Sequence, residues 1–93
     1  MPVITRYIGY NIYIWSNEQN PLEPVHVHVS HTPRGNADKF WVTEDGLIIP
    51  SDSNKELRRS EIAKIVSYLS DDVIQKKIID KWLEQFGEMR FIE

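Results

Sequence analysis

The residues of this chain whose types and spacing could do chemistry are His26 and His28, which alternate with valines. In an extended strand, side chains two residues apart point to the same face, about 6.5–7 Å from each other along the strand. Neutral imidazoles at that spacing can share one metal ion. The pair therefore predicts either a divalent metal site or, as more often happens with a lone His-x-His, two rings that pack and form hydrogen bonds.

A metal centre at this pair would need further ligands from nearby residues. The side chains that could supply them are Glu18, Glu23, His31 and Asp38. His31 is out of phase with the pair and should face away. We therefore expect His26 and His28 to ligate any metal that binds, with Glu18 or Asp38 as the third ligand. The candidate polar site comprises Glu18, Gln19, His26, His28 and Asp38.

Two enzyme classes that share a His-x-His pair do not fit the sequence that follows it. Cupins place a metal-binding glutamate after three or four intervening residues, where this chain has Thr32 and Pro33. Histidine-triad hydrolases need a third histidine at the next alternate position, which is Ser30. No nucleophile–base–acid set and no paired carboxylates can be identified either. A non-enzymatic role is favoured, and a histidine-dependent or metal-dependent enzyme remains the alternative.

The elements that must position the pair are strands. Residues 2–8 and 11–16 are rich in β-branched and aromatic residues around a turn signal at Gly9-Tyr10-Asn11, which predicts a β-hairpin. The pair itself lies in a strand predicted over residues 25–31, after a loop with two prolines. The remaining strands are predicted over residues 37–43 and, as a short fifth strand, 47–50.

Helical periodicity replaces strand alternation after Pro50. Ser53 and Glu56 have the spacing of a capping box, and apolar residues then recur on one stripe, so we predict a helix over 54–69. A second helix is predicted over 71–86, with Ser70 as its hydroxyl cap. Strands followed by helices are typical of an α+β fold: an antiparallel sheet of four or five strands followed by two C-terminal helices, in a single domain spanning 1–93.

The second helix carries the side chain that we expect to anchor it. Trp82 falls on the apolar stripe with Ile79 and Phe86, so it should pack against the sheet. Gly87 follows at the position where a left-handed residue commonly ends a helix. The apolar tail after it should also pack rather than extend freely.

Composition narrows the possible functions. The chain has no cysteine, which excludes disulfides and thiolate metal sites. It shows no signal peptide and no apolar run long enough to span a membrane, so we expect a cytoplasmic protein without membrane contact. The net charge is −3, which disfavours nucleic acid as a partner because phosphate contacts dominate such binding.

Several motifs, in order along the chain, resemble the bacterial family catalogued as domain of unknown function 4160. The matching segments are Pro2-Val3-Ile4, Tyr7-Ile8-Gly9, Trp15-Ser16-Asn17-Glu18, Pro21, Pro24, His26-Val27-His28-Val29, Ala37–Phe40, Ser60–Ile65 and Lys81–Gly87. The chain departs from the family where Gln19 replaces a usual histidine and where Leu22-Glu23 is an insertion. A three-histidine site carried over from the family would therefore be incomplete here.

The resemblance also implies a genetic context for this protein. Genes of this family resemble, in their arrangement, small paired modules of the toxin–antitoxin kind. We therefore expect a non-enzymatic interaction or regulatory module of such a pair, with an RNA-cleaving toxin that uses the histidine face as the alternative. The high aromatic content and a strand 11–16 that is apolar on both faces predict a protein partner, most simply a homodimer. Residues expected to contribute to the uncovered face are Tyr7, Tyr13, Trp15, Phe40 and Trp41.

Overall fold

A single antiparallel sheet precedes two helices, which confirms the predicted α+β class. The computed structural model describes residues 3–15 and 22–92. Its elements are β1 (Val3–Tyr7), β2 (Tyr10–Tyr13), β3 (His26–Ser30), β4 (Asp38–Val42), β5 (Ile48–Pro50), α1 (Arg59–Leu69) and α2 (Asp72–Phe86). The five strands lie in the sheet in chain order, each antiparallel to its neighbours. Among the described residues, no helix is long and apolar enough to cross a membrane.

The first hairpin turns more tightly than the sequence predicted. Tyr7 lies opposite Tyr10, so Ile8 and Gly9 alone form the turn, whereas the turn signal had been placed at residues 9–11. Both turn residues have positive φ, 46° at Ile8 and 84° at Gly9. Positive φ at both central positions is the type I′ geometry that matches the twist of a hairpin. A β-branched residue is strained there, because its Cβ crowds the backbone.

Strand register separates the two faces of the sheet. Val27 lies opposite Phe40, and both belong to the core cluster that contains the buried side chains of the helices. His28 lies opposite Tyr13 on one side and Lys39 on the other. Directly opposed residues share a face and consecutive residues alternate. The two histidines therefore project from the sheet face opposite Val27 and Phe40, and His26, at the start of β3, also reaches Trp82 of α2.

The predicted start of the first helix is wrong by five residues. α1 begins at Arg59, and the Arg58 N–H donates to the Glu61 carboxylate at 2.9 Å. Ser53 does not cap a helix, since its hydroxyl lies 2.9 Å from the hydroxyl of Ser51. The Asp38 carboxylate accepts from the N–H groups of residues 55–57, so a long-range interaction overrides the local capping signal.

The second helix matches its prediction in extent, but its cap is different. The Asp71 carboxylate, rather than the Ser70 hydroxyl, accepts from the backbone N–H of Val73 at 2.8 Å. Trp82 is fully buried, as expected of the anchor. Gly87 ends the helix in the left-handed conformation, with φ of 77°.

The C-terminal tail packs beside the segment that leads into β3. The Val25 N–H donates to the carbonyl oxygen of Arg90 at 2.8 Å, and the Arg90 side chain donates to the carbonyl of Leu22 at 2.9 Å. The Trp82 indole N–H donates to the Glu88 carbonyl at 3.1 Å. The tail therefore contributes to fixing the start of the histidine strand, as its apolar content had indicated.

Candidate functional site

The two histidines of β3 lie side by side and are buried. Each is only 1% exposed, and their ring centroids are 5.1 Å apart. Nδ1 of His26 lies 2.8 Å from the Pro24 carbonyl oxygen, and Nδ1 of His28 lies 3.3 Å from that of Ala37. Because a carbonyl oxygen can only accept, both Nδ1 atoms carry the proton.

Aromatic rings surround the pair. The His28 ring stacks on Tyr13 with a centroid separation of 5.6 Å and an interplanar angle of 23°. The His26 ring meets Trp41 of β4 edge-on at 5.1 Å and Trp82 of α2 at 5.4 Å. The two imidazoles thus join side chains from β2, β4 and α2 into one aromatic cluster, which is a packing role as well as a polar one.

Asp38, one of the two predicted third ligands, is engaged with the backbone. One carboxylate oxygen accepts from the N–H of Lys55 at 2.7 Å and the other from the N–H of Leu57 at 2.8 Å. The N–H of Glu56 lies within 3.0 Å and 3.1 Å of the two oxygens. Asp38 lies opposite Val29 on the helix-covered face of the sheet, whereas the histidines project from the other face. The strands therefore do not direct Asp38 toward the pair.

The other predicted site residues have separate positions. Glu18 and Gln19 lie outside the described residues. Glu23 accepts from the Lys39 ammonium at 3.2 Å, and the exposed His31 stacks on Tyr10 at 4.0 Å. Within residues 3–15 and 22–92, no group of three or more His, Cys, Asp or Glu side chains could hold a metal ion.

A cleft of about 600 Å³ lies beside the β3–β4 hairpin, next to His28. One wall is the turn after β3, residues 34–37, and the other is the segment 53–56 that leads to α1. His28, Asp38 and Lys39 line it from the sheet. We call this cavity the 34/55 cleft. It brings together two of the predicted site residues, His28 and Asp38, from opposite faces of neighbouring strands.

A second polar network at this cleft was missed by the sequence reading. The Glu56 carboxylate accepts from the Arg34 guanidinium at 2.7 Å, the Ser30 hydroxyl at 2.9 Å and the His31 N–H at 3.0 Å. Burial alone would raise the pKa of Glu56. The His31 N–H, the Ser30 hydroxyl and the Arg34 charge outweigh burial, so the pKa of Glu56 lies below its usual value. No spacing in the sequence indicates this network, because Glu56 lies more than twenty residues from each of its three partners.

Tyrosine hydroxyls hold the turn and the first helix to the sheet. The Tyr13 hydroxyl donates to the Arg34 carbonyl at 2.7 Å and accepts from the Arg34 N–H at 2.8 Å, which fixes one wall of the 34/55 cleft. The Tyr10 hydroxyl donates to the Glu61 carboxylate at 3.0 Å. Burial and then the Glu61 carboxylate raise the pKa of Tyr10 to about 12, so this hydroxyl stays a hydrogen-bond donor throughout the neutral range.

Comparisons with known proteins agree with the sequence motifs. No curated protein and no solved structure matches the chain. The family model of the domain of unknown function DUF4160 matches residues 9–82, a span that runs from the first hairpin turn to the anchoring tryptophan and includes the histidine pair and the 34/55 cleft. On that match, the chain belongs to the DUF4160 family.

Proposed function

We propose that this protein is a non-enzymatic protein-interaction module of a small bacterial regulatory gene pair of the toxin–antitoxin kind. It acts through self-association or through a partner protein that binds the same surface. The observation that carries the proposal is an apolar surface at the edge of the sheet, on the face away from the helices.

This surface, which we call the β5 surface, consists of Trp41, Leu47 and Ile49. Ile49 lies opposite Trp41 in the β4–β5 ladder, so the two share a face, and Leu47 precedes Ile49 by two residues. Leu47 is 65% exposed and Ile49 is 43% exposed, although both are large aliphatic side chains. Neighbouring apolar side chains at this exposure favour a protein contact, since clustered apolar surface is uncommon on monomers.

The aromatic face expected from the sequence is smaller than predicted. Phe40 is fully buried under the helices, and Tyr7 stacks on Tyr68 of α1 at 4.2 Å. Tyr13 does lie on the other face, but it is fully buried beside His28. Trp15 and Trp41 remain half-buried. The proposed contact is therefore centred on β5 rather than on the hairpin strand.

The state of the histidines supports an interaction role over catalysis. Each ring is 1% exposed, and each Nδ1–H is held by a carbonyl oxygen. A general acid or base must come within about 3 Å of the proton that it transfers. Rings enclosed in an aromatic cluster are better placed to fix three elements together than to meet a substrate.

Light scattering at low micromolar concentration tests the proposal. We expect the wild type to show twice the 11.0 kDa chain mass, and Ile49→Lys to show the single-chain mass, because a buried lysine at the contact is costly. Leu83→Lys is the matched control: Leu83 is 39% exposed, but it lies on α2, so the dimer should persist. A wild-type mass of 11.0 kDa contradicts self-association.

A partner protein is tested separately with the product of the adjacent gene. Purified partner should be retained by the wild type and by Leu83→Lys but not by Ile49→Lys. Equal retention by all three proteins would exclude the β5 surface. Growth arrest on expression that is cured by His28→Ala would instead support the histidine-dependent, RNA-cleaving alternative.

A further inference from the structure

We infer that the 34/55 cleft is a binding site for a phosphoryl group, with Lys55 and Arg34 as its cationic contacts. This inference does not depend on a protein partner at the β5 surface. It rests on the size of the cleft, on the cations along its walls and on the hydrogen bonds that its carboxylates accept from the protein itself.

The cations come from both walls. Lys55 has an exposed side chain and forms no ion pair within the described part of the chain. Arg34 uses one N–H on Ser30 at 3.0 Å and one on Glu56 at 2.7 Å, and its side chain is 46% exposed. A guanidinium has five N–H donors, so three remain on Arg34 for a ligand. Its contacts to Ser30 and Glu56 also orient the group in advance.

Lys39, the third cation of the cleft, is already engaged. Its ammonium lies 3.2 Å from the Glu23 carboxylate and 4.9 Å from the centroid of the Trp41 ring. We therefore assign it a positioning role at the floor of the cleft rather than a direct contact. The two cations left for a ligand, Lys55 and Arg34, both line the cleft, and Arg34 reaches the 53–56 wall through its bond to Glu56.

The acidic side chains of the cleft do not repel an anion as free carboxylates would. Both Asp38 oxygens accept backbone N–H groups from residues 55–57. Both Glu56 oxygens accept from Ser30, His31 and Arg34, and these donors keep the carboxylate ionised and compensated. With five charged side chains, three basic and two acidic, the cleft carries a formal charge of +1 in a chain of net charge −3.

The chemistry of the walls selects the ligand class. Arginine and lysine together are the usual contacts of phosphate, since guanidinium donors match its oxygens and ammonium adds charge. A volume of about 600 Å³ lies in the range of small-molecule sites and is larger than a free phosphate ion needs. The phosphoryl group could come from inorganic phosphate or from a small phosphorylated molecule such as a nucleotide.

Amide NMR titration of the full chain tests the site. The probes are inorganic phosphate, a ribonucleoside 5′-monophosphate and the same nucleoside without phosphate, each raised to about 20 mM so that a millimolar Kd is saturated. We expect saturable shifts at the amides of Lys39, Lys55 and Glu56 with both phosphorylated probes and none with the nucleoside. A tighter Kd for the monophosphate would identify the nucleotide as the source, and equal values would identify the phosphoryl group alone.

Two variants distinguish specific binding of phosphate in the cleft from non-specific attraction of phosphate to surface cations. Lys55→Gln removes a cation that pairs with nothing else among the described residues, so the fold should persist while the Kd rises about fivefold. Lys64→Gln removes an exposed cation of α1 away from the cleft and should leave the Kd unchanged. Three outcomes overturn the inference: no saturable shift, equal weakening by both variants, or equal shifts with the unphosphorylated nucleoside.

Discussion

Asp38 gives the sharpest test of how the candidate site is built. If its carboxylate is the structural acceptor of the 55–57 amides, Asp38→Asn should destabilise the protein whether or not metal is present. If it is a metal ligand, the loss should appear only when metal can bind. The substitution changes a single atom in a side chain that is 4% exposed, so steric effects are small.

The size of the loss follows from the hydrogen bonds. An asparagine keeps one acceptor oxygen and places an NH2 group where the other oxygen stood. One oxygen can still accept from Lys55 or from Leu57, whose N–H groups lie at 2.7 Å and 2.8 Å, but not from both. A hydrogen bond to a charged group contributes about 1.5–3 kcal/mol, and a buried donor left without an acceptor costs about 1–3 kcal/mol. We expect the free energy of unfolding to fall by about 2–4 kcal/mol.

Urea denaturation followed by tryptophan fluorescence measures this loss. A stability of about 5–14 kcal/mol for a chain of this length leaves the variant folded in water. The exposed Asp52, changed to asparagine, is the control and should stay within about 0.5 kcal/mol of wild type. Each protein is measured with and without a divalent-metal chelator. An unfolding free energy equal to wild type, or a difference that disappears in the chelator, would refute the structural role.

Two further predictions concern the hairpin turn and the Glu56 network. Ile8→Asn should raise the free energy of unfolding by about 1 kcal/mol, because asparagine tolerates the positive φ of the type I′ turn. The control is Leu47→Asn, at another exposed aliphatic residue, which should not raise it. An unchanged free energy of unfolding in Ile8→Asn would contradict the strain at Ile8. Glu56 has a lowered pKa when folded, so its contribution to stability is present above the reference pKa of 4.5 and is lost as the pH falls through the folded value. Wild type should therefore lose more stability than Glu56→Gln between about pH 5 and about pH 3 in urea melts, and parallel profiles would be inconsistent with the lowered pKa.

The sequence predicted the features of the fold that depend on local periodicity. Alternation placed His26 and His28 on one face of a strand, and the structure keeps them there. Spacing also placed Trp82 and Gly87 correctly, since an apolar stripe and a C-terminal glycine are signals within one helix. The α+β class followed from the change of periodicity near Pro50.

The sequence does not show whether a backbone N–H or a side chain binds a partner nearby in the chain or one that is distant. Ser53 and Glu56 have capping-box spacing, yet neither caps a helix. Asp38 binds the amides and Arg34 binds the Glu56 carboxylate, and both residues belong to the β3–β4 hairpin, distant in sequence from residues 53–56. The same limit applies to the uncovered face, because the register that buries Phe40 under the helices cannot be read from composition.

The binding of the 55–57 amides by Asp38, in place of a helix, also shapes the 53–56 wall of the 34/55 cleft. Had local propensity prevailed, residues 54–58 would form the first turn of α1, and their leading amides, which find no acceptor within a helix, would depend on the Ser53 cap. Instead, the Asp38 carboxylate binds three of those amides and holds the segment as a bend beside β4, outside the helix. Lys55 thereby lines the cleft together with the 34–37 turn, which the Tyr13 hydroxyl holds through the Arg34 carbonyl. Asp38, one of two candidate third ligands for any bound metal, thus shapes a backbone segment, and its effect on the cleft passes through the position of Lys55.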